Sequence, residues 1–410
     1  MVSVASADAA PAPSGSVTEP TTWSTASETT TRSGDEPVQT SRRRERGRLG
    51  RRSPYLRTTY RSELAFFPYS GARIAGLAVL VLALVAFPLF AGSFWIGVAN
   101  LCAITAIAAL GVQIVTGMAG QLSLGHAAFL AIGGFTAAGL HLHLELPLWI
   151  GGPAAMLAGA VVGMLAGVPA LRLRGFYLGI TTLAVQYVVL AAGLKYQGYL
   201  QSSLGTGGSL TVPAPDLGLV TLTRPWHWYV AMVLLLGVVL VAVANLRRSD
   251  LGRSFLAVRQ GEVAAEALGI NVAFVKITAF ALSGALGGLA GALFAYYYRS
   301  VSIENFDLLL SVTFLAMVII GGLGSIQGAV YGAIFVTATP HVVGWLLEVL
   351  ELSGTLGTRL RAIELGVFAL TMMAFLLFEP EGLAGVWQRV KSYFTRWPFR
   401  YTDMTTTAKR

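Results

Sequence analysis

Gln121, Ser123 and His126 lie in the stretch GQLSLGHAAFLAIGG, which is otherwise apolar apart from Gly120, Gly125, Gly133 and Gly134. An amide, a hydroxyl and an imidazole at this spacing can hydrogen-bond a polar solute or tie helices to one another. Each is costly in hydrocarbon unless it is satisfied. Ser123 and His126 are three apart, so a helix would put both on one face. Thr181, Thr182 and Gln186 place hydroxyl and amide groups in a second apolar run, FYLGITTLAVQYVVL. These groups suit a neutral or zwitterionic solute and equally suit interhelical hydrogen bonds. The six residues are the candidate translocation path. The string HLHLE offers His141, His143 and Glu145. Two histidines and one acid without further ligands fall short of a metal site, so no metal is assigned and the three are expected to snorkel at an interface.

What is missing narrows the chemistry further. No Asp or Glu falls in the middle of an apolar run; Glu145, Glu304, Asp307, Glu348, Glu351 and Glu364 all sit in loops or at run ends. Proton-driven carriers usually bury a carboxylate as the relay. A phosphate-cradling GxxxxGK[ST] loop is absent. No pair of acids, histidine cluster or activated nucleophile converges, so no catalytic residue and no cofactor are assigned. The chain carries no engine of its own.

The elements that must position these groups are membrane helices. Of 410 residues, 55% are hydrophobic and 12% charged, against about 25% charged in soluble domains; the mean hydropathy is +0.66. A spanning helix needs ~20 mostly apolar residues. Runs at 73–90, 95–115, 148–169, 176–195, 226–246, 277–298 and 362–378 fit. The Gly-rich regions 118–142 and 308–347 are read as one and two more. The expected fold is therefore all-α, a polytopic integral membrane protein with about ten transmembrane helices.

The net charge of +9 is no nucleic-acid footprint, because it is placed by topology. Arginines crowd 42–73, Arg172 and Arg174 follow the fourth run, 247–276 is basic, and Arg389, Lys391, Arg396 and Arg400 follow the last. The positive-inside rule makes all four regions cytoplasmic, with both termini inside. Residues 1–72 are expected to be a basic cytoplasmic tail, its Ser, Thr, Ala and Pro-rich first part disordered. The run RRRERGRLGRR (42–52) is read as a topology signal rather than a lipid-binding patch. Residues 73–390 form the membrane domain, and 391–410 a second cytoplasmic tail. The first 31 residues hold no Lys or Arg and no apolar run. No signal peptide is expected, and the first span acts as its own insertion signal. The one cysteine, Cys102, allows no internal disulfide.

The external loop 196–227, with its Gly, Ser and Pro, is expected to be irregular. The internal loop 247–276 differs. Asp250 is its expected N-cap, and Gly269 with Asn271 its C-terminal stop. Leu251, Phe255 and Val258 share a face, and Arg259 and Glu262 are expected to pair at i, i+3. One or two short amphipathic helices should lie here on the cytoplasmic side. Glu262 and Glu266 disfavour an anionic lipid surface and favour a protein partner. Gly284, Gly287, Gly288 and Gly291 share one helix face, and Gly324, Gly328 and Gly332 recur at four-residue spacing. Small residues on one face let helix backbones approach closely in lipid, so both stripes are assigned to helix packing.

Several segments resemble, in order, those of bacterial branched-chain amino-acid ABC transporter permeases. GQLSLGHAAFLAIGGFTAA is similar to that family's SLGHAAF signature, LRLRGFYLGITTLA to its RGxYxAIxTLA stretch and GTGGSLTVP to its external TGGSxG loop. GRSFLAVRQGEVAAEALGINV, IIGGLGSIQGAVYGA and FEPEGLAG match further segments. The resemblance covers roughly 95–390, and RGFY and FEPEGLAG resemble the LivM-like subunit more than its LivH-like partner. It implies an import permease in the bacterial plasma (inner) membrane, working with a second permease subunit, two cytoplasmic ATP-binding subunits and an extracytoplasmic substrate-binding protein. VAAEALG resembles the EAA loop through which such importers dock their ATPases. Ala264, Ala265 and Gly269 keep its spacing, Val263 stands at the motif's Glu with Glu262 one place earlier, and its distal Leu-Pro is missing. Arg259, Glu262, Ala264, Ala265, Glu266 and Gly269 are the residues assigned to coupling. Leucine, isoleucine and valine are the default solutes. The alternative is a secondary carrier or channel for a small neutral solute such as urea or an amide.

Overall fold

The computed structural model describes residues 87–204, 209–212 and 224–349, and the pieces 366–370, 372–373, 377, 382–387 and 389. The two tails, most of the expected first span and much of the last lie outside the described residues. Helix α1 (Ser93–Val112) runs into a π-turn (Gln113–Met118). Then come α2 (His126–Leu144), α3 (Leu148–Gly167), α4 (Phe176–Leu204) and α5 (Pro225–Arg248). Two short helices follow, α6 (Asp250–Gln260) and α7 (Glu262–Ala267), before α8 (Val272–Tyr298), α9 (Leu308–Gly321) and α10 (Ile326–Val349). Seven of these helices are long and apolar enough to cross a membrane. They coincide with seven of the expected spans. The eighth expected span in this region, α9, is only 14 residues, or ~21 Å at 1.5 Å per residue.

α1 and α8 form the interior. α8 lies chiefly against α3 and α2, and α1 lies against α8, α5 and α10. The α3–α8 seam is a backbone-to-backbone contact. A β-carbon on Gly284 would collide with the Gly159 carbonyl, and one on Gly159 with the Gly284 carbonyl. Gly288 meets Ala155 in the same way, and Gly163 meets the Phe280 carbonyl. Gly291 and Gly133 close the seam with α2, against the Leu130 and Gly288 carbonyls, while Gly287 faces Phe129 and His126. The expected packing role of the α8 stripe thus has its partner surface: Gly151, Ala155, Gly159, Gly163 and Gly167 recur every four residues on α3. That stripe was legible as a small-residue repeat and was missed.

The second stripe needs a correction. Gly328 and Gly332 pack α10 onto α9, against the Gly321 and Met317 carbonyls. Gly324 is not on that face. It lies in the α9–α10 turn with φ +88°, in the left-handed region that favours glycine. The GGLGS sequence stops one helix and starts the next, so its spacing to Gly328 is not a helical one.

The two ends of the bundle differ. Trp95, Trp149, Trp226 and Trp345 mark one end, where Trp95 and Trp345 meet edge to face, as at a membrane interface. At that end Leu210–Thr211 pairs antiparallel with Ser300–Val301. The external loop was expected to be irregular, but its apolar Leu210 and Val212 are buried and hold this short pairing. Arg172, Arg174, Arg247 and Arg248 mark the other, basic end.

Candidate coupling face and polar seam

The π-turn leads to a corner. The Ala119 amide donates to Ile114 and the Gln121 amide to Val115, and Gly120 takes φ +70°. Residues 120–125 are then not helical. Irregular backbone at membrane depth persists only where it is buried in protein and satisfied. Here the Leu124 amide donates to the Thr182 hydroxyl at 2.9 Å, and that hydroxyl donates to the Gly179 carbonyl at 2.8 Å. α2 starts at His126 with no side-chain cap. Instead its Ala127 amide donates to the Ser311 hydroxyl of α9 at 2.8 Å.

Ser311 donates in turn to the Gln186 side-chain oxygen at 2.6 Å. The Gln186 amide group donates to the Asp307 and Phe306 carbonyls at 3.0 and 3.4 Å. This explains how a short α9 is tolerated. It starts part-way into the bundle after a 3-10 turn (Ile303–Phe306), and Gln186 satisfies the backbone freed there. Asp307 caps α9 through the Leu310 amide. Ser311 was not foreseen; a hydroxyl at the start of an apolar helix is its only sequence signal. Replacing Ser311 by alanine strands the Ala127 amide in a buried site, a cost of ~1–3 kcal/mol. The buried Cys102 gives the measurement: its reaction with a thiol dye in detergent should begin at a lower temperature in Ser311→Ala.

The six path residues therefore divide. Gln121, Ser123, His126, Thr182 and Gln186 are buried along one seam between α1, α2, α4, α8 and α9. Thr181 is not in it. Its hydroxyl bonds the Tyr177 carbonyl of its own helix on the exposed side, because adjacent helical residues point ~100° apart. His126 is 0% exposed. A β-carbon on Gly111 would come within 2.9 Å of its ring and one on Gly287 within 3.3 Å, so the imidazole fills a slot left by two glycines. Phe129 and Phe314 meet the ring edge to face. Ser283 is 3.5 Å from Nδ1. The Ser123 hydroxyl has no partner among the described residues. In this conformation the seam is closed, and Thr182 and Gln186 act as ties. His141 and His143 bond the Leu146 carbonyl and the Tyr196 hydroxyl.

At the basic end α6 and α7 form a bent pair. α6 is capped by Ser249, whose hydroxyl accepts from Gly252; the expected cap, Asp250, is the first helical residue and pairs with Arg253. Phe255 and Val258 are buried as their spacing predicted. Arg259 and Glu262 do not pair, because the helix breaks at Gly261 between them. Arg259 donates instead to the Gly117 carbonyl. Glu262 pairs with Arg174 and with Lys276, each at 2.7 Å. Gly269 closes α7 with φ +81°, while Asn271 caps the next helix through the Phe274 amide.

Lys276 belongs inside α8, not in the loop. Its side chain is 2% exposed and also donates to the Ala170 carbonyl at 2.8 Å. Arg174 is 67% exposed, so its pairing with Glu262 is worth ~0.2–1 kcal/mol. Leaving Lys276 without its acid would cost ~3–5 kcal/mol. Ala265 is buried against the bundle, whereas Val263 and Leu268 are 71% and 79% exposed and Ala264 and Glu266 also face outward.

The family described as "Branched-chain amino acid transport system / permease component" matches residues 93–376. The high-affinity branched-chain amino acid transport system permease protein LivM of Salmonella typhimurium (strain LT2) is 34% identical over 290 residues, 65% of this chain and 67% of that protein. LivM of Escherichia coli (strain K12) matches to the same extent. The ribose import permease protein RbsC of Haemophilus influenzae is 28% identical over 61% of this chain and 74% of its own length. No solved structure matches. The family lends nothing to the carrier-or-channel alternative. A helical bundle with a bent helix pair on its basic end, matched over most of the described region, belongs to the permease components of branched-chain amino acid transport systems and is of the LivM-like kind.

Proposed function

We propose that this chain is one of two permease subunits of an ATP-driven importer for leucine, isoleucine and valine. A second permease subunit covers the apolar faces that α3, α4 and α5 expose. Two ATP-binding subunits dock on α6–α7, and an extracytoplasmic binding protein delivers solute at the tryptophan-marked end. The basic end is cytoplasmic by the positive-inside rule, and the arginines of 42–73 and the cations of 389–400 put both termini on the same cytoplasmic side. One observation carries the reading: at the basic end, Val263 on a short helix and Leu268 at its C-terminal end stand exposed, the helix held to the bundle by buried charge. The exposed acid Glu266 beside them disfavours anionic lipid, so a protein groove is the fitting cover. The spans then rock against each other along the glycine seams to alternate access. The solute passes by the seam of Gln121, Ser123, His126, Thr182 and Gln186.

The test is uptake of labelled leucine in cells with and without the gene, repeated with the proton gradient collapsed and ATP maintained. Gene-dependent uptake that survives the uncoupler is expected. Uptake that dies with the gradient would replace the energy source, and uptake indifferent to the gene would remove leucine as substrate.

A further inference from the structure

The corner Gly117–Gln121 is gripped from the coupling helices at both of its ends. Arg259 donates to the Gly117 carbonyl. Its stem lies so close to Gly120 that a β-carbon there would fall 2.9 Å from Cγ, and Nη1 lies beside Gly324 of the α9–α10 turn. Three residues on, Glu262 turns inward. One carboxylate oxygen takes the Lys276 ammonium at 2.7 Å and the Gln121 amide at 3.5 Å, and the other takes Arg174 at 2.7 Å. Lys276 also holds the Ala170 carbonyl, so the α3–α4 turn and α8 join the same node. The corner itself is held by two backbone bonds beyond the helical ladder, from Ala119 and Gln121. Five residues past Gln121 stands His126, the ring that closes the seam.

We infer that Arg259 and Glu262 are positioning residues that carry a stroke of α6–α7 to this corner and so to the break that closes the solute path. Neither is a docking contact for the ATPase. The inference rests on the importer reading above. Its chemistry asks for a carboxylate at 262: a carboxamide has one uncharged acceptor oxygen and turns donors to the other side, so it cannot hold a cation at each of two oxygens while the helix moves. A merely structural role would be different. There Glu262 would serve only to neutralise Lys276, and removing both charges together would cost little.

The experiment uses the whole importer in proteoliposomes, with its partner subunits and binding protein. Leucine uptake and ATP hydrolysis are measured on the same preparation. The paired variant Glu262→Gln with Lys276→Met leaves no buried charge unpaired and is expected to assemble. Its hydrolysis should stay near that of the unmodified complex while leucine moved per ATP falls by about tenfold or more. Wild-type leucine per ATP in the paired variant would overturn the inference, and so would loss of hydrolysis in step with uptake while the subunits still co-purify. The unmodified complex tests the underlying reading separately. If its own uptake does not follow ATP, that reading falls and takes the inference with it.

Discussion

Gly284→Leu is expected to leave little or no folded protein in the membrane, while Gly237→Ala leaves the amount unchanged or raised. The first result follows from what surrounds Gly284. Its β-carbon would overlap the Gly159 carbonyl oxygen and come 3.0 Å from the Gly163 α-carbon. Those atoms are backbone, and Gly159 and Gly163 have equally little room on their side. A flexible neighbour could swing away; a facing helix can only separate, which would open the seams with Ala155 and Leu130 as well. Ordinary overpacking costs ~1–3 kcal/mol, and a leucine in this seam should exceed that range. Gly237 is also mid-helix, in α5, but nothing lies within 4 Å of a β-carbon there. Alanine at such a site gains ~0.5–1 kcal/mol of backbone entropy. The yield of monodisperse protein after detergent extraction separates the two. Equal yields would show that glycine at 284 is not a packing requirement.

The second large effect concerns the exposed residues of α7 and its C-terminal end. Val263→Asp with Leu268→Asp should leave the protein in the membrane at a normal level and reduce leucine uptake by about a hundredfold. That is ~2.8 kcal/mol at ~1.4 kcal/mol per tenfold, modest for two apolar anchors buried under a partner. ATPase subunits should no longer co-purify. Ala265→Arg should behave differently. Ala265 keeps the spacing of the family's coupling motif, yet it is 1% exposed and faces the bundle. An arginine there has no room and should lower the protein level itself. Reading uptake and membrane level together distinguishes a lost partner from a lost fold. Retained uptake with both aspartates in place would sink the docking assignment.

The spans were legible because a hydrocarbon solvent demands long apolar runs, and seven helices fall where those runs are. The α8 glycines were legible as a face, since Gly284, Gly287, Gly288 and Gly291 lie at helical spacing. What spacing alone cannot show is where a helix ends. Gly324 sits at four residues from Gly328 but in a turn, and Arg259 sits at three from Glu262 but across a break. Thr181 and Thr182 read as one pair although a helix turns them to different sides. Lys276 looked like a loop cation because charge was taken as the end of the span; its partner, Glu262, is near in sequence but reached only when the chain folds back. The polar seam was half legible. Five of six residues line it, but the bonds of Gln186 depend on Ser311, Phe306 and Asp307, brought in with a helix too short to span.

The slot that holds His126 has a consequence for the cell. A bacterial membrane stores a proton gradient, and a transporter that idles between solutes must not short-circuit it. Water conducts protons only along an unbroken file of hydrogen-bonded molecules. Here an imidazole occupies the width between α1 and α8, fitted against Gly111 and Gly287, with Phe129 and Phe314 set edge to face around it. If the seam is the solute path as proposed, this fit would keep the resting permease electrically tight, and a smaller residue at 126 should show itself first as a leak current rather than as a loss of transport.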